Sequence, residues 1–211
     1  MNIDTVHDLY RRVSNIFRAR RRRRLNQLFP IEQYPEVLDI GGRHMAWDGS
    51  RKVTTINLAD DYEKPDIIGD GCNLPLPDGS VSFVYSNSVI EHVAKDRQQR
   101  FADEMLRVGK AIYCQTPNHW FPFDVHYQCF FIHWIPGIFR NYFVFRYLTG
   151  YGWVWKPTRQ QAKEYLDSIN LLSAKQLLLM FRGQCVIETE KVLGITKSFV
   201  VYRHPAGEHK R

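Results

Sequence analysis

The sequence has no run approaching the ~20 uninterrupted apolar residues of a membrane helix, which excludes an integral membrane protein. Its opening, MNIDTVHDLYRRV, has neither the basic-then-apolar order nor the small-residue cleavage site of a secretory leader, so the chain is expected in the cytosol. Cysteine is scarce: Cys72, Cys114, Cys129 and Cys185 are too far apart for a zinc site or the dense disulfide framework of a small secreted domain, and are expected to be reduced thiols. Internal repeats and glycine-serine linkers are absent, and 211 residues with 44% hydrophobic and 24% charged suit one folded domain, 1–211, rather than a disordered chain.

Acidic residues are missing between Asp8 and Glu32, where Arg11, Arg12, Arg18 and Arg20 to Arg24 put eight arginines into fourteen positions and supply much of the +7 net charge. Leu9, Val13, Ile16 and Phe17 recur at the spacing of one helical face, so residues 1–30 read as a basic amphipathic helix. Three readings stand side by side: a cap helix packing its apolar stripe on the domain, a helix attached to an anionic membrane surface through Arg18 to Arg24, and a nucleic-acid contact. The second would make the protein peripheral to a membrane.

Beyond this helix, strand-like and helix-like segments alternate. EVLDIGG (36–42), KVTTINL (52–58) and DIIGD (66–70) are short β-rich runs. PDGSVSFVYSNS (77–88) is a turn and a strand, RQQRFADEMLRVGK (97–110) an amphipathic helix stopped by Gly109, and AIYCQTP (111–117) a strand stopped by Pro117. SAKQLLLMFRG (173–183) reads as a helix capped by Ser173 and ended by Gly183, followed by closing strands in QCVIETE and KSFVVYR. The expected fold is α/β, a doubly wound, mostly parallel Rossmann-like sheet of about seven strands with an antiparallel C-terminal strand. Residues 119–158 interrupt the pattern: fifteen of the chain's 29 aromatic residues lie there, in a segment broken by Asp124, Pro136, Arg140 and Arg146. It reads as an insertion that closes the core or forms a lid over a substrate.

In a doubly wound sheet ligands sit beyond the carboxyl ends of the strands. VLDIGG places Asp39 at such an end and Gly41 and Gly42 in the turn, where backbone can approach a ligand. A dinucleotide site would need two further glycines, and Arg43 and Ala46 occupy those positions, so a nicotinamide or flavin site is not expected. The succession of motifs from VLDIGG onward resembles the class I S-adenosylmethionine-dependent methyltransferases, especially their type 11 group, over residues 36–118. Asp39, Gly41 and Gly42 look like the start of the family's first motif. Asn57 stands where an acidic residue holds the ribose hydroxyls. DGCNLPLPDGS, from Asp70 to Ser80, is similar to the adenine-contacting motif, SVSFVYSNSVIEHV to the fourth strand and the glutamate-histidine step after it, EMLRVGKAIYCQTPN to the next helix and fifth strand, and LGITKSFVVYR to the final strand.

The resemblance implies S-adenosylmethionine as cofactor, held by Asp39, Gly41, Gly42, Arg43, Asn57, Asp70, Gly71, Cys72 and Asn87. The residue chemistry agrees: Asp70 can accept from an exocyclic amine, the amides of Gly71 and Cys72 can donate to a ring nitrogen, and Asn57 can accept from a hydroxyl. Where the family continues with glycines this chain has Arg43 and Met45, and too few residues separate Gly42 from the next strand for a full crossover helix, so the first helix must be stunted. Arg43 then either clamps the cofactor's carboxylate or fills the hollow.

Methyl transfer from a sulfonium is an in-line displacement that needs alignment and, for a hydroxyl or amine acceptor, a base. His126, His92 and His119 are the candidate catalytic residues, with His133 and Glu91 as further candidates and Asp124 placed to orient His119 or His126. No strong metal signature accompanies His119, Asp124 and His126, and no metal is expected. The segment TPNHWFPFDVHY resembles members associated with surface-glycan pathways, which implies a small or lipid-linked acceptor such as a sugar. An RNA acceptor is the enzymatic rival, and a non-catalytic scaffold that kept the fold is the rival of another class.

Overall fold

In the computed structural model the described residues are 3–43, 47, 49–58, 64–124, 126–127, 129–135, 145–149, 152 and 155–205, with side chains described from residue 15 onward except at 145 and 148. The N-terminal helix, α1 (Ile3–Leu28), leads to β1 (Glu36–Ile40), β2 (Lys52–Asn57), β3 (Ile67–Ile68) and β4 (Val81–Asn87). A 3-10 turn (Ile90–His92), α2 (Gln98–Val108) and β5 (Gly109–Pro117) come next. The aromatic insertion contributes the short pair β6 (Phe123–Asp124) and β7 (Cys129–Phe130), a second 3-10 turn (Ile132–Trp134) and α3 (Phe145–Leu148). The chain closes with α4 (Arg159–Asp167), α5 (Ala174–Met180), β8 (Val186–Val192) and β9 (Ile195–Arg203).

The main sheet has seven strands in the order β3-β2-β1-β4-β5-β9-β8. β1 to β5 pair in parallel, and β9 runs antiparallel to both neighbours, as the sequence pattern predicts. The direction of strand addition reverses between β1 and β4, and the carboxyl ends there open onto a crevice. Between Gly42 and β2 no described residue is helical, so the crossover is short, as its length requires. His44 to Ala46 of that crossover, with Met45 among them, lie outside the described residues.

Both sheet faces are covered. Leu38, Ile40, Ile56, Val84, Ile112, Cys114 and Val201 pack against Phe101, Ala102 and Met105 of α2 and Leu177 of α5. On the opposite face Val37, Phe83, Ala111, Tyr113 and Val200 pack against Leu25, Leu28 and Phe29 at the end of α1. A satellite cluster joins the insertion to α4 through Tyr127, Ile132, Ala162 and Leu166. α4 and α5 each begin with a capping box, Thr158 with Gln161 and Ser173 with Gln176, which satisfies amides that would otherwise be orphaned at their first turns. All four cysteines are free thiols.

α1 docks through Phe17 of the expected stripe, while Ile16 turns away from the domain. Ile16 is 53% exposed, while Phe17, Arg21, Leu25 and Leu28 turn inward; the side chains of Leu9 and Val13 lie outside the described ones. The cause is on the sheet, where β8 presents two carboxylates. Arg21 donates from Nε and Nη2 to Glu190 at 2.7 and 2.6 Å and from Nη1 to Asn87 at 2.7 Å. Arg24 donates from Nε to Glu188 at 2.9 Å, and Lys197 Nζ stands 4.2 Å from the Phe17 ring centroid. Part of the basic helix is therefore a cap, and among its described arginines Arg18, Arg20, Arg22 and Arg23 face outward. No helix among the described residues is long and apolar enough to cross a membrane.

Candidate functional site

At the sheet's switch point lies a cavity of about 530 Å³, lined by Ile40 to Arg43 after β1, Ile56 to Leu58 after β2, Gly69 to Cys72, Ser88, Val89 and His92 to Ala94 after β4, and Arg97 and Phe101 of the α2 region. The glycine turn forms its floor. Gly41 has φ +76°, and a Cβ there would stand 2.5 Å from Val89 Cγ2, so only glycine fits. A Cβ on Gly42 would stand 1.9 Å from Asp39 Oδ2. Asp39 itself is buried beneath this turn and does not line the cavity. It accepts a bond from Trp47 Nε1 at 2.8 Å, its Oδ1 has no partner among the described residues, and burial raises its pKa to about 7 against the opposing effect of that bond.

Asn57 Nδ2 donates to Gly42 O at 3.0 Å, tying the end of β2 to the glycine turn and leaving its amide oxygen as the acceptor on the cavity side. Asp70 accepts from the Cys72 amide at 2.9 Å and pairs with Arg97. Burial pushes its pKa up, but Arg97 and the Cys72 amide outweigh this and hold the carboxyl below its usual range. Burial also pushes the Cys72 thiol up to about 11, so it stays neutral. Arg43 is exposed and sits on the rim, and the hollow beside it is open. Asn87 is the expected residue that the structure takes elsewhere: it shares the α1 face of β4 with Phe83 and Tyr85, bonds to Arg21, and does not line the cavity. Arg97, which the sequence reading missed, partners Asp70 from a position 27 residues away.

A polar cluster adjoins the cavity through His92. Glu91, in the turn after β4, is fully buried; its Oε2 accepts from Thr116 Oγ1 at 3.0 Å and its Oε1 has no partner among the described residues. Burial pushes its pKa to about 7. The His92 and His126 rings stand 5.1 Å apart. Asp124 Oδ1 accepts from the backbone amides of His126 and Tyr127 at 2.7 and 3.0 Å and stands 3.3 Å from His126 Nδ1, while its Oδ2 lies 2.6 Å from His133 Nε2. Burial opposes ionisation of Asp124, yet His126 and His133 hold its pKa well below the carboxylate range. Burial lowers the pKa of His92, with His126 acting the same way; for His126 burial also lowers it, but Asp124 and Glu91 prevail and the net shift is upward. His119 meets His133, 5.4 Å between ring centroids, rather than Asp124. Asp124 therefore bonds to the His133 ring and to the His126 backbone amide, while the His126 Nδ1 beside it has no hydrogen-bond partner among the described residues.

The insertion also carries exposed rings: Trp120, Phe130, Phe131 and Trp134 are all about half exposed or more. Phe123 with Phe130 and Phe131 with Trp134 form tilted ring pairs at 4.8 and 4.9 Å between centroids. Its segments 136–144, 150–151 and 153–154 lie outside the described residues.

Residues 31–111 match the family described as a methyltransferase domain. The fold is similar to that of a SAM-dependent methyltransferase from Archaeoglobus fulgidus, at 12% identity and a TM-score of 0.51, covering 88% of this chain and 93% of that one. A SAM-dependent methyltransferase from Aquifex aeolicus matches at 13% identity and a TM-score of 0.46, covering 85% and 87%. No curated protein sequence matches the chain.

Proposed function

We propose that this chain, a class I S-adenosylmethionine-dependent methyltransferase by the domain at residues 31–111, methylates a hydroxyl of a small or lipid-linked acceptor whose chemistry is that of a sugar. Bound here, the cofactor would supply an electrophilic methyl on a sulfonium, whose S–C electron pair would stay with sulfur when the acceptor oxygen bonds the methyl. The residues present fit it. Gly41 and Gly42 keep the floor of the hollow free of side chains, the amide oxygen of Asn57 suits a ribose hydroxyl, and Asp70 with the amides of Gly71 and Cys72 suits the edge of a purine. Asp70 already accepts from Cys72 and Arg97, but an ionised carboxylate has about four acceptor sites. Arg43 on the rim is placed to meet a carboxylate.

The observation that carries the reading is that His92 belongs both to the wall of the hollow and to the histidine cluster. His92, kept neutral by burial, and His126, beside Asp124, accept the hydroxyl proton and hold the acceptor oxygen in line. Exposed aromatic faces elsewhere in the insertion suit stacking on a sugar ring. The outward arginines of α1 support contact with an anionic surface, each contributing at most about 1 kcal/mol, so attachment would be reversible. The test is calorimetric titration of S-adenosylhomocysteine, paired with transfer of labelled methyl to hydroxylated sugars. Saturable one-to-one binding, and at least a ~100-fold loss of turnover in His126→Ala, support the reading. No binding up to millimolar concentrations would leave a scaffold in its place.

A further inference from the structure

Glu91, His92 and His126 each place one potential ligand atom within 4.8 Å of the other two. Donors bound at about 2.0–2.2 Å to one ion stand roughly 3 to 3.5 Å from one another, so small side-chain rotations close this set around a common point. A second feature points to a ligand independently of that spacing. Glu91 is 0% exposed and its Oε1 meets no donor among the described residues. Folded proteins rarely leave a buried carboxylate oxygen unpaired, because removing it from water without a partner is costly. Beside the cluster the Asp124 carboxylate stands 3.3 Å from His126 Nδ1, which has no hydrogen-bond partner among the described residues, and Thr116 donates to Glu91 Oε2.

We propose that Glu91, His92 and His126 bind a single divalent transition-metal ion of the zinc type. Two imidazoles and one carboxylate suit such an ion better than magnesium or calcium, which favour all-oxygen sets. Three protein ligands leave a coordination position open. Because His92 also lines the hollow, an ion held by this set would lie beside it. A metal there would act as a Lewis acid in place of the base role given above to His92 and His126, whose ring nitrogens it would occupy: the hydroxyl proton would pass to solvent water at the exposed edge of His92, the oxygen would form the O–C bond, and the S–C electron pair would remain on sulfur. This role rests on the methyl-transfer reading, whereas the binding of the ion does not. The sequence hides the site because its ligands lie 34 positions apart, on the turn after β4 and in the insertion.

The full chain, stripped with a chelator, is titrated with Zn²⁺ by calorimetry and with Co²⁺ by visible absorption, and S-adenosylhomocysteine is titrated in parallel. The site predicts one ion per chain, d–d bands of a low-coordinate Co²⁺ complex, and affinity weakened about 100-fold in Glu91→Gln and in His126→Gln. S-adenosylhomocysteine affinity should stay within about threefold of wild type in His126→Gln, because His126 does not line the hollow. Absence of saturable one-to-one Zn²⁺ binding, or binding equal in the variants and the wild type, overturns the site. Should Glu91→Gln fail to fold, the half-buried His126 position carries the comparison alone. If Zn²⁺ binds while S-adenosylhomocysteine does not, the site stands and the methyl-transfer reading falls; the reverse result removes only the metal.

Discussion

The docking of α1 on β8 can be tested through one ion pair. Arg21 and Glu190 have side chains 12% and 19% exposed and meet through two parallel hydrogen bonds of 2.7 and 2.6 Å. Burial pushes the Glu190 carboxyl up, yet the Arg21 guanidinium outweighs it and holds the group below its ordinary range. Breaking a buried pair by removing one partner typically costs about 3–5 kcal/mol, since it strands the other charge. Here Ser198 and Lys197 remain beside Glu190, so Arg21→Met should cost less, about 2–4 kcal/mol. Arg24 with Glu188, half exposed on the arginine side, should contribute under about 1 kcal/mol. Urea unfolding of Arg21→Met, Glu190→Gln and the double variant gives a coupling energy, expected at about 2 kcal/mol with little change in m-value. A coupling below about 0.5 kcal/mol would mean that the pair behaves as a surface contact and that α1 is held to the sheet by its apolar residues alone.

Other outcomes depend on single positions. Gly42→Ala places a methyl 1.9 Å from the Asp39 carboxylate, so the turn must shift; a loss of about 1–3 kcal/mol and of S-adenosylhomocysteine affinity is expected, and wild-type affinity in calorimetry would contradict the tight fit. The Asp39 pKa is raised from 3.8 to about 7, so the folded state binds its proton more tightly than the unfolded chain; the group's stabilising contribution is complete below about pH 4 and is lost as pH rises towards 7. That loss is on the order of 4 kcal/mol at most, and Asp39→Asn, which keeps an acceptor for Trp47, should reduce the fall of the unfolding midpoint between pH 4.5 and 8, the remaining fall coming from Glu91; a profile parallel to wild type would refute the assignment. Leu193 has φ +49° in the two-residue hairpin before Gly194 and is 98% exposed, so Leu193→Asn should raise stability by about 1 kcal/mol in the same unfolding assay, and an unchanged midpoint would argue against strain there.

The strands were legible because their apolar runs are short and bounded by glycine, proline and polar residues, as EVLDIGG and AIYCQTP are. Asp70, Cys72 and the Gly41–Arg43 turn were legible as neighbours of one hollow because each comes just after a strand end on the same edge of the sheet. Asn87 was not, because facing alternates along β4: Asn87 goes with Phe83 and Tyr85 to the α1 face, whereas Ser88, one residue on, lines the hollow. Asp124 likewise reached His133 rather than His119, a choice set by how β6, β7 and the following 3-10 turn pack. The arginines of α1 announced a charged surface, but which of them turn inward depends on Glu188 and Glu190, 164 and 169 positions away in sequence. Local patterning carries information about elements and their ends; partners brought together by the sheet are a property of the whole fold.

The methyl-transfer chemistry requires that the hollow above the Gly41–Gly42 turn receive an S-adenosyl cofactor. The most direct measurement is a crystal structure of the full chain soaked with S-adenosylhomocysteine. Density for the purine against Asp70 and Cys72, with the ribose at Asn57 and the amino-acid end towards Arg43, is the predicted result. A nucleoside bound elsewhere, or an empty hollow at saturating concentration, would contradict it.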